Sequence, residues 1–184
     1  MRRGIRFLVA GIAAATVTTL VSGAAAEATQ QSRVARAQAS ETLGPDGYKA
    51  VKLGMSEEEA VATGELIRRT DVPSTEYCGW YALKDWPGGP GAEGAGVVVS
   101  PTYGVVAIWA YPSVQTPEGI GLGSTVSEVK AAYPDYEEGE QYHGGRAPVP
   151  GGAEGSLYRF GRFDGDNGRI TRMFLQAPRQ DCYE

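Results

Sequence analysis

Two stretches of the chain pass from polar to apolar positions in the same way. Gly54-Met55-Ser56-Glu57-Glu58-Glu59-Ala60 recurs as Gly123-Ser124-Thr125-Val126-Ser127-Glu128-Val129, 69 positions later. In each copy a hydroxyl residue precedes a glutamate by three positions, Ser56 before Glu59 and Thr125 before Glu128. That spacing is a capping box, which satisfies the orphan amide donors at a helix start. Past the first cap, Ala60, Gly64 and Ile67 fall at i, i+4 and i+7 with Val61 beside them, predicting a helix from Glu57 to about Arg69. Arg68 and Arg69 suit its negative C-terminal end, and Pro73 prevents continuation. Past the second cap, Val126, Val129 and Tyr133 share one face, and Pro134 stops the helix after about two turns.

Strand patterns follow each helix. Residues 76–83, 96–100 and 104–111 read as strands after the first, and residues 156–163 and 169–177 after the second. Asp164-Gly165-Asp166-Asn167-Gly168 joins the last two as a hairpin with Asn-Gly at its turn. The fold class is therefore α+β: two tandem repeats, residues 48–112 and 113–184, each a short helix plus an antiparallel meander. The repeats are expected to form one domain with one sheet and helices packed on one face.

The stretches outside this pattern set the compartment. Residues 1–28 have the three parts of a signal peptide: Arg2, Arg3 and Arg6, then apolar Phe7 to Val21, then small residues around Ala26 and Ala28. Residues 29–47 read as a disordered leader, too polar to offset ordering entropy. A secreted protein without a membrane span in its mature form is the expectation. Taking Arg2, Arg3, Arg6 and Glu27 from the 17 basic and 22 acidic side chains leaves a net charge near −7. Without a Lys/Arg block, this disfavours nucleic acid and anionic membranes as partners. Cys78 and Cys182, the two cysteines, are most simply a disulfide in an exported protein, with a metal-binding thiol pair as the alternative.

The segment Leu53-Gly54-Met55-Ser56 and the helix after it resemble the helix start of the beta-lactamase inhibitory protein family. Leu122-Gly123-Ser124-Thr125 resembles the same feature in that family's second repeat, with Ser124 in place of Met. The BamE-type outer-membrane assembly lipoproteins share this helix start. The resemblance implies tandem helix-on-sheet repeats and a sheet surface that grips another protein. Two features depart from it: a single possible disulfide spans both repeats, and no cysteine is placed for lipidation.

Catalytic chemistry is thinly represented. His143, the one histidine, sits in Tyr142-His143-Gly144-Gly145 without an orienting carboxylate nearby. Glu57, Glu58 and Glu59 occupy a helix's first turn, where the dipole favours carboxylates. Residues 164–168 depart from a calcium loop, and the glycine-rich residues 88–96 lack the Lys-Ser/Thr of a phosphate loop. No cofactor or metal site is expected. The aromatics are the better clue. Alternation along residues 105–111 puts Val106, Ile108 and Ala110 on one face and Val105, Ala107, Trp109 and Tyr111 on the other. With the aliphatic face against the helices, Trp109 and Tyr111 point outward, and Trp80, Tyr81 and Trp86 extend a patch for a secreted or envelope partner protein. The bland alternative is that these rings fill the core. A further reading is a saccharide hydrolase using carboxylates such as Asp164, Asp166 or Glu154, and a third is a structural cell-wall role.

Overall fold

Both capping boxes form in the computed structural model, which describes residues 42–69, 78–86, 96–139, 144–162 and 168–183. The signal segment, leader residues 29–41, His143, Asp164 and Asp166 lie outside the described residues. Ser56 Oγ accepts the Glu59 amide while the Glu59 carboxylate accepts the Ser56 amide, starting α1 (Glu57–Ala62). Thr125 and Glu128 repeat the exchange at α2 (Val126–Ala132). Hydrogen bonding to the cap holds both carboxyls, Glu59 and Glu128, below the ordinary glutamate range. These glutamates are structural caps.

The first helix is shorter than the expected Glu57-to-Arg69 span. Thr63 closes it, with Oγ1 donating to the Ala60 carbonyl at 2.6 Å, and Gly64 turns the chain at φ +74°. A glycine just past the last turn in that conformation is a helix stop. Leu66 to Arg68 then run as a strand, so Arg68 does not cap the helix end. Its guanidinium instead meets Glu57 at 3.0 Å, at the opposite end of the helix. Val61 is exposed, while Ala60 alone of this helix is buried.

The molecule is mostly β. A small hairpin, β1 (Gly47–Tyr48) and β2 (Val51–Lys52), stands apart from an eight-stranded antiparallel sheet. The sheet comprises β3 (Leu66–Arg68), β4 (Gly79–Leu83), β5 (Val97–Ser100), β6 (Gly104–Trp109), β7 (Glu137–Glu138), β8 (Gly145–Pro148), β9 (Leu157–Arg162) and β10 (Ile170–Gln176). Its order is β3-β4-β5-β6-β10-β9-β8-β7, with β6 and β10 side by side at the centre. β9 and β10 pair antiparallel, as the hairpin reading requires. Leu43 is fully buried and its amide reaches the Gln115 carbonyl at 2.9 Å, so the leader's last residues belong to the folded body.

The recurrent segment docks in the same way at both places. Gly54 donates to the Val105 carbonyl at 2.9 Å and Val105 donates back to Met55 at 2.7 Å. Gly123 donates to the Ile170 carbonyl at 2.7 Å and Ile170 donates back to Ser124 at 2.8 Å. Each exchange fastens a helix start to a central strand, β6 or β10. Gly104, at φ +70°, completes the first joint, because a Cβ there would lie 2.4 Å from the Met55 carbonyl oxygen.

The main core lies on the helix side. Ala60 and Val129 from the helices, with Tyr133, pack over Tyr81, Leu83, Val97, Val99, Ile108, Tyr158, Met173 and Leu175. On the other face Val98, Val106 and Ala107 are fully buried beneath Trp80, Tyr103, Phe174, Cys182 and Tyr183. That face is thus not bare: the C-terminal segment lies on it. Cys78 and Cys182 stand at disulfide distance, Cα to Cα 5.8 Å, and fix the segment beside β4. Asp181 lies near both sulfurs, but bridged sulfurs are not metal ligands. No helix among the described residues is long and apolar enough to cross a membrane.

Substituting both Cys78 and Cys182 by Ser should cost roughly 2–5 kcal/mol in denaturant unfolding, as for removal of a native bridge from a small domain. Thr125→Ala should cost about 1 kcal/mol by the same measurement. A cap loss under a few tenths of a kcal/mol would show that α2 is held by packing alone.

Candidate functional site

The five aromatics singled out from sequence separate onto two sides of the sheet. β5 and β6 pair Val98 with Ala107 but Val99 with Val105, leaving Val106 as an extra, bulged residue. A bulge of this kind reverses the alternation beyond it. Val105, Ile108 and Ala110 consequently face the helix-side core, while Val106 and Ala107 face the other way. The expected grouping of Val106 with Ile108 and Ala110 is corrected by that single residue.

Trp109 emerges on the side away from the helices, half-buried and stacked on Phe174 with ring centroids 4.3 Å apart. Trp80 packs on the same side. Tyr111 does not point outward: it is buried in the helix-side core, and Tyr81 is buried there too. The Tyr81 hydroxyl donates to Glu57, and burial above all pushes its pKa up to about 12. Tyr81 is a structural residue.

Past the end of β6 the chain crosses from one face to the other, and Trp86, Trp109 and Tyr111 meet. Together with Pro112, Leu122 and Arg172 they line a pocket of about 90 Å3. Trp86 stacks on Tyr111 with 5.6 Å between centroids and 14° between planes. The indole N–H groups of Trp86 and Trp109 are buried without a hydrogen-bond partner. The wall is apolar, with one guanidinium among its lining residues.

A polar network beneath holds this wall in place. Tyr48 and Tyr111 share a hydrogen bond between hydroxyls, and both lie near Asp85 Oδ2, at 3.3 and 3.4 Å. Lys49 closes the network by pairing with Asp85 and standing 3.8 Å from Glu65. Lys49 has φ +50°, the conformation required by the tight β1–β2 turn that delivers its ammonium. The hydrogen bond with Lys49 is the main reason Asp85 sits below the usual carboxylate range, and the same bond raises Lys49. Burial, then the Tyr111 hydrogen bond, raises Tyr48, so its phenol stays protonated through the physiological range. A protonated phenol is a hydrogen-bond donor here and no proton acceptor.

Other residues contribute that the sequence reading did not single out. Phe174 is flanked by Trp109 on β6 and Arg159 on β9, its direct partners in register. A second irregularity, between Ile170 and Arg172, puts Arg172 on the face of Phe174 and sends Ile170 into the helix-side core. Arg146 stands opposite Arg159 on the neighbouring strand and pairs with Glu137 at 2.6 Å. Period-two alternation could have flagged Phe174, but two bulges hid the shared face. Glu154 is exposed in the turn after β8 and lines no part of the aromatic pocket.

No protein family, curated protein or solved structure matches this chain.

Asp85→Asn should destabilise the fold, and the sign of the pH dependence follows from the depressed carboxyl. Its stabilisation is present above the ordinary aspartate value of 3.8 and is lost as pH falls through the lower folded-state value. Thermal melts of the parent and Asp85→Asn should therefore converge as the pH is lowered below about 4. A gap that stays constant down to strongly acidic pH would remove Asp85 from this role.

Proposed function

We propose that the chain is a secreted protein-binding module of two tandem helix-plus-meander repeats, acting without cofactor. It captures a partner protein by seating an apolar side chain in the aromatic pocket. The observation that carries this reading is the convergence of Trp86, Trp109 and Tyr111 with Arg172 around one small, apolar pocket. Its volume of about 90 Å3 suits one inserted side chain and not a sugar ring or nucleotide. Buried aromatic anchors surrounded by a polar rim are the usual source of interface energy. Arg159 and Arg172 on the adjoining face favour a partner with acidic groups around its anchor, on a chain that is otherwise net negative.

The repeat reading rests on the paired capping boxes and on the matching hydrogen-bond exchanges at Val105 and Ile170. These agree with what the resemblance to the beta-lactamase inhibitory protein family implies, and that resemblance makes a beta-lactamase one partner worth testing. The mechanism would be steric occlusion or scaffolding. Saccharide hydrolysis has less in its favour, because no carboxylate among the described residues lines the aromatic pocket.

The test is capture of envelope proteins and a panel of beta-lactamases by the immobilised chain, followed by affinity measurement on any partner obtained. Trp109→Ala should weaken binding by 2 kcal/mol or more, about 30-fold or greater, in the range of interface anchors. Thr171→Trp, at an exposed position on the pocket rim, should block the pocket while leaving the fold intact. A partner that binds both variants as tightly as the parent would sink the assignment.

A further inference from the structure

A second and larger cleft lies where the β1–β2 hairpin, the start of β6 and the segment after β10 come together. Its volume is about 300 Å3, at the lower limit of small-molecule sites. Leu53, Tyr103, Ala177 and Pro178 give it an apolar wall. Neither Trp80 nor Trp109 lines it, so it is independent of the aromatic pocket.

Two polar groups distinguish this cleft from a simple surface dent. Ser156 lines it, is only 2% exposed, and its Oγ is buried without a hydrogen-bond partner. A buried hydroxyl left unsatisfied costs free energy, and a ligand acceptor would recover it. Arg179, an exposed residue at the rim, lies over the Tyr103 ring at 5.2 Å and pairs with no carboxylate among the described residues. Asp46, the one acidic residue among the described residues lining the cleft, is already met by Lys52 at 3.0 Å. The charge left to recruit a ligand is therefore positive.

We propose that this cleft binds a small carboxylate with an apolar body. The carboxylate meets Arg179, whose guanidinium lies over the Tyr103 ring at 5.2 Å, and takes a hydrogen bond from Ser156. The body lies against Leu53, Ala177 and Pro178. A guanidinium presents a planar fork of donors that matches a planar anion, which suits carboxylate over ammonium or neutral ligands.

Titration of the full chain with 3-phenylpropanoate and with its uncharged amide, followed by NMR, tests this. The acid should give saturable shifts centred on Tyr103, Ser156 and Ala177, and the amide should bind about tenfold more weakly or worse. Arg179→Gln should weaken the acid about tenfold and leave the amide unchanged. Ser156→Ala should weaken the acid several-fold without lowering the melting temperature, since it removes an unsatisfied hydroxyl. Equal binding of acid and amide, an Arg179→Gln chain that binds the acid like the parent, or shifts centred elsewhere would each overturn the proposal. Arg179 is exposed, so its substitution decides the matter even if Ser156→Ala fails to fold.

Discussion

The pairing of β6 with β10 is the constraint on which the structure rests. Trp109, Ile108 and Ala107 stand opposite Phe174, Leu175 and Gln176, and this ladder alone joins the sheet's two four-stranded halves. Because the register is fixed, Ile108 and Leu175 reach the helix-side core together while Trp109 and Phe174 stack on the other side. A slip of one residue would exchange the two sets. The helices depend on the same ladder, since each is only six or seven residues long and is fastened to β6 or β10 through its leading glycine. Helices of that length have no stability of their own.

Tyrosine does much of the remaining positioning. Tyr158 donates to the Leu43 carbonyl at 2.8 Å and ties the entering chain to β9. Tyr133 reaches Thr116 and Glu118, each at 2.6 Å, linking α2 to the loop before it. Tyr48 and Tyr111 do the equivalent work around Asp85 beneath Trp86. In each case a ring supplies apolar area while its hydroxyl finds an acceptor, so polar linkage and burial reinforce each other. Burial raises the phenol pKa at Tyr48, Tyr133 and Tyr158 alike, which keeps these links in the donating form.

The parts of this fold that were legible in sequence are those governed by local rules. Ser56 with Glu59 and Thr125 with Glu128 announced both helix starts, and the valine-rich runs and the 156–177 pair announced the central strands. Gly64 was readable as a helix stop but was overridden by the spacing of Ile67. β8, Gly-Arg-Ala-Pro, has no strand propensity and exists because β9 offers it a partner. The aromatic site was half legible. Trp86, Trp109 and Tyr111 do converge, but by a crossing of faces that no alternation pattern contains, and the bulge at Val106 exchanged the expected faces of Val105 and Val106. Bulges arise from pairing between distant strands, which a local pattern does not record.

The sheet's margins bear on how the molecule meets its neighbours. Its outermost strands are only three and two residues long, β3 carrying Arg68 and β7 consisting of Glu137 and Glu138. Short, charged borders resist the addition of a further strand, the commonest route by which β-proteins polymerise. Contact with another molecule is thereby diverted from backbone pairing at the rim to side-chain recognition on the faces. A chain built this way can present aromatic surface on its faces without also offering a long bare strand edge.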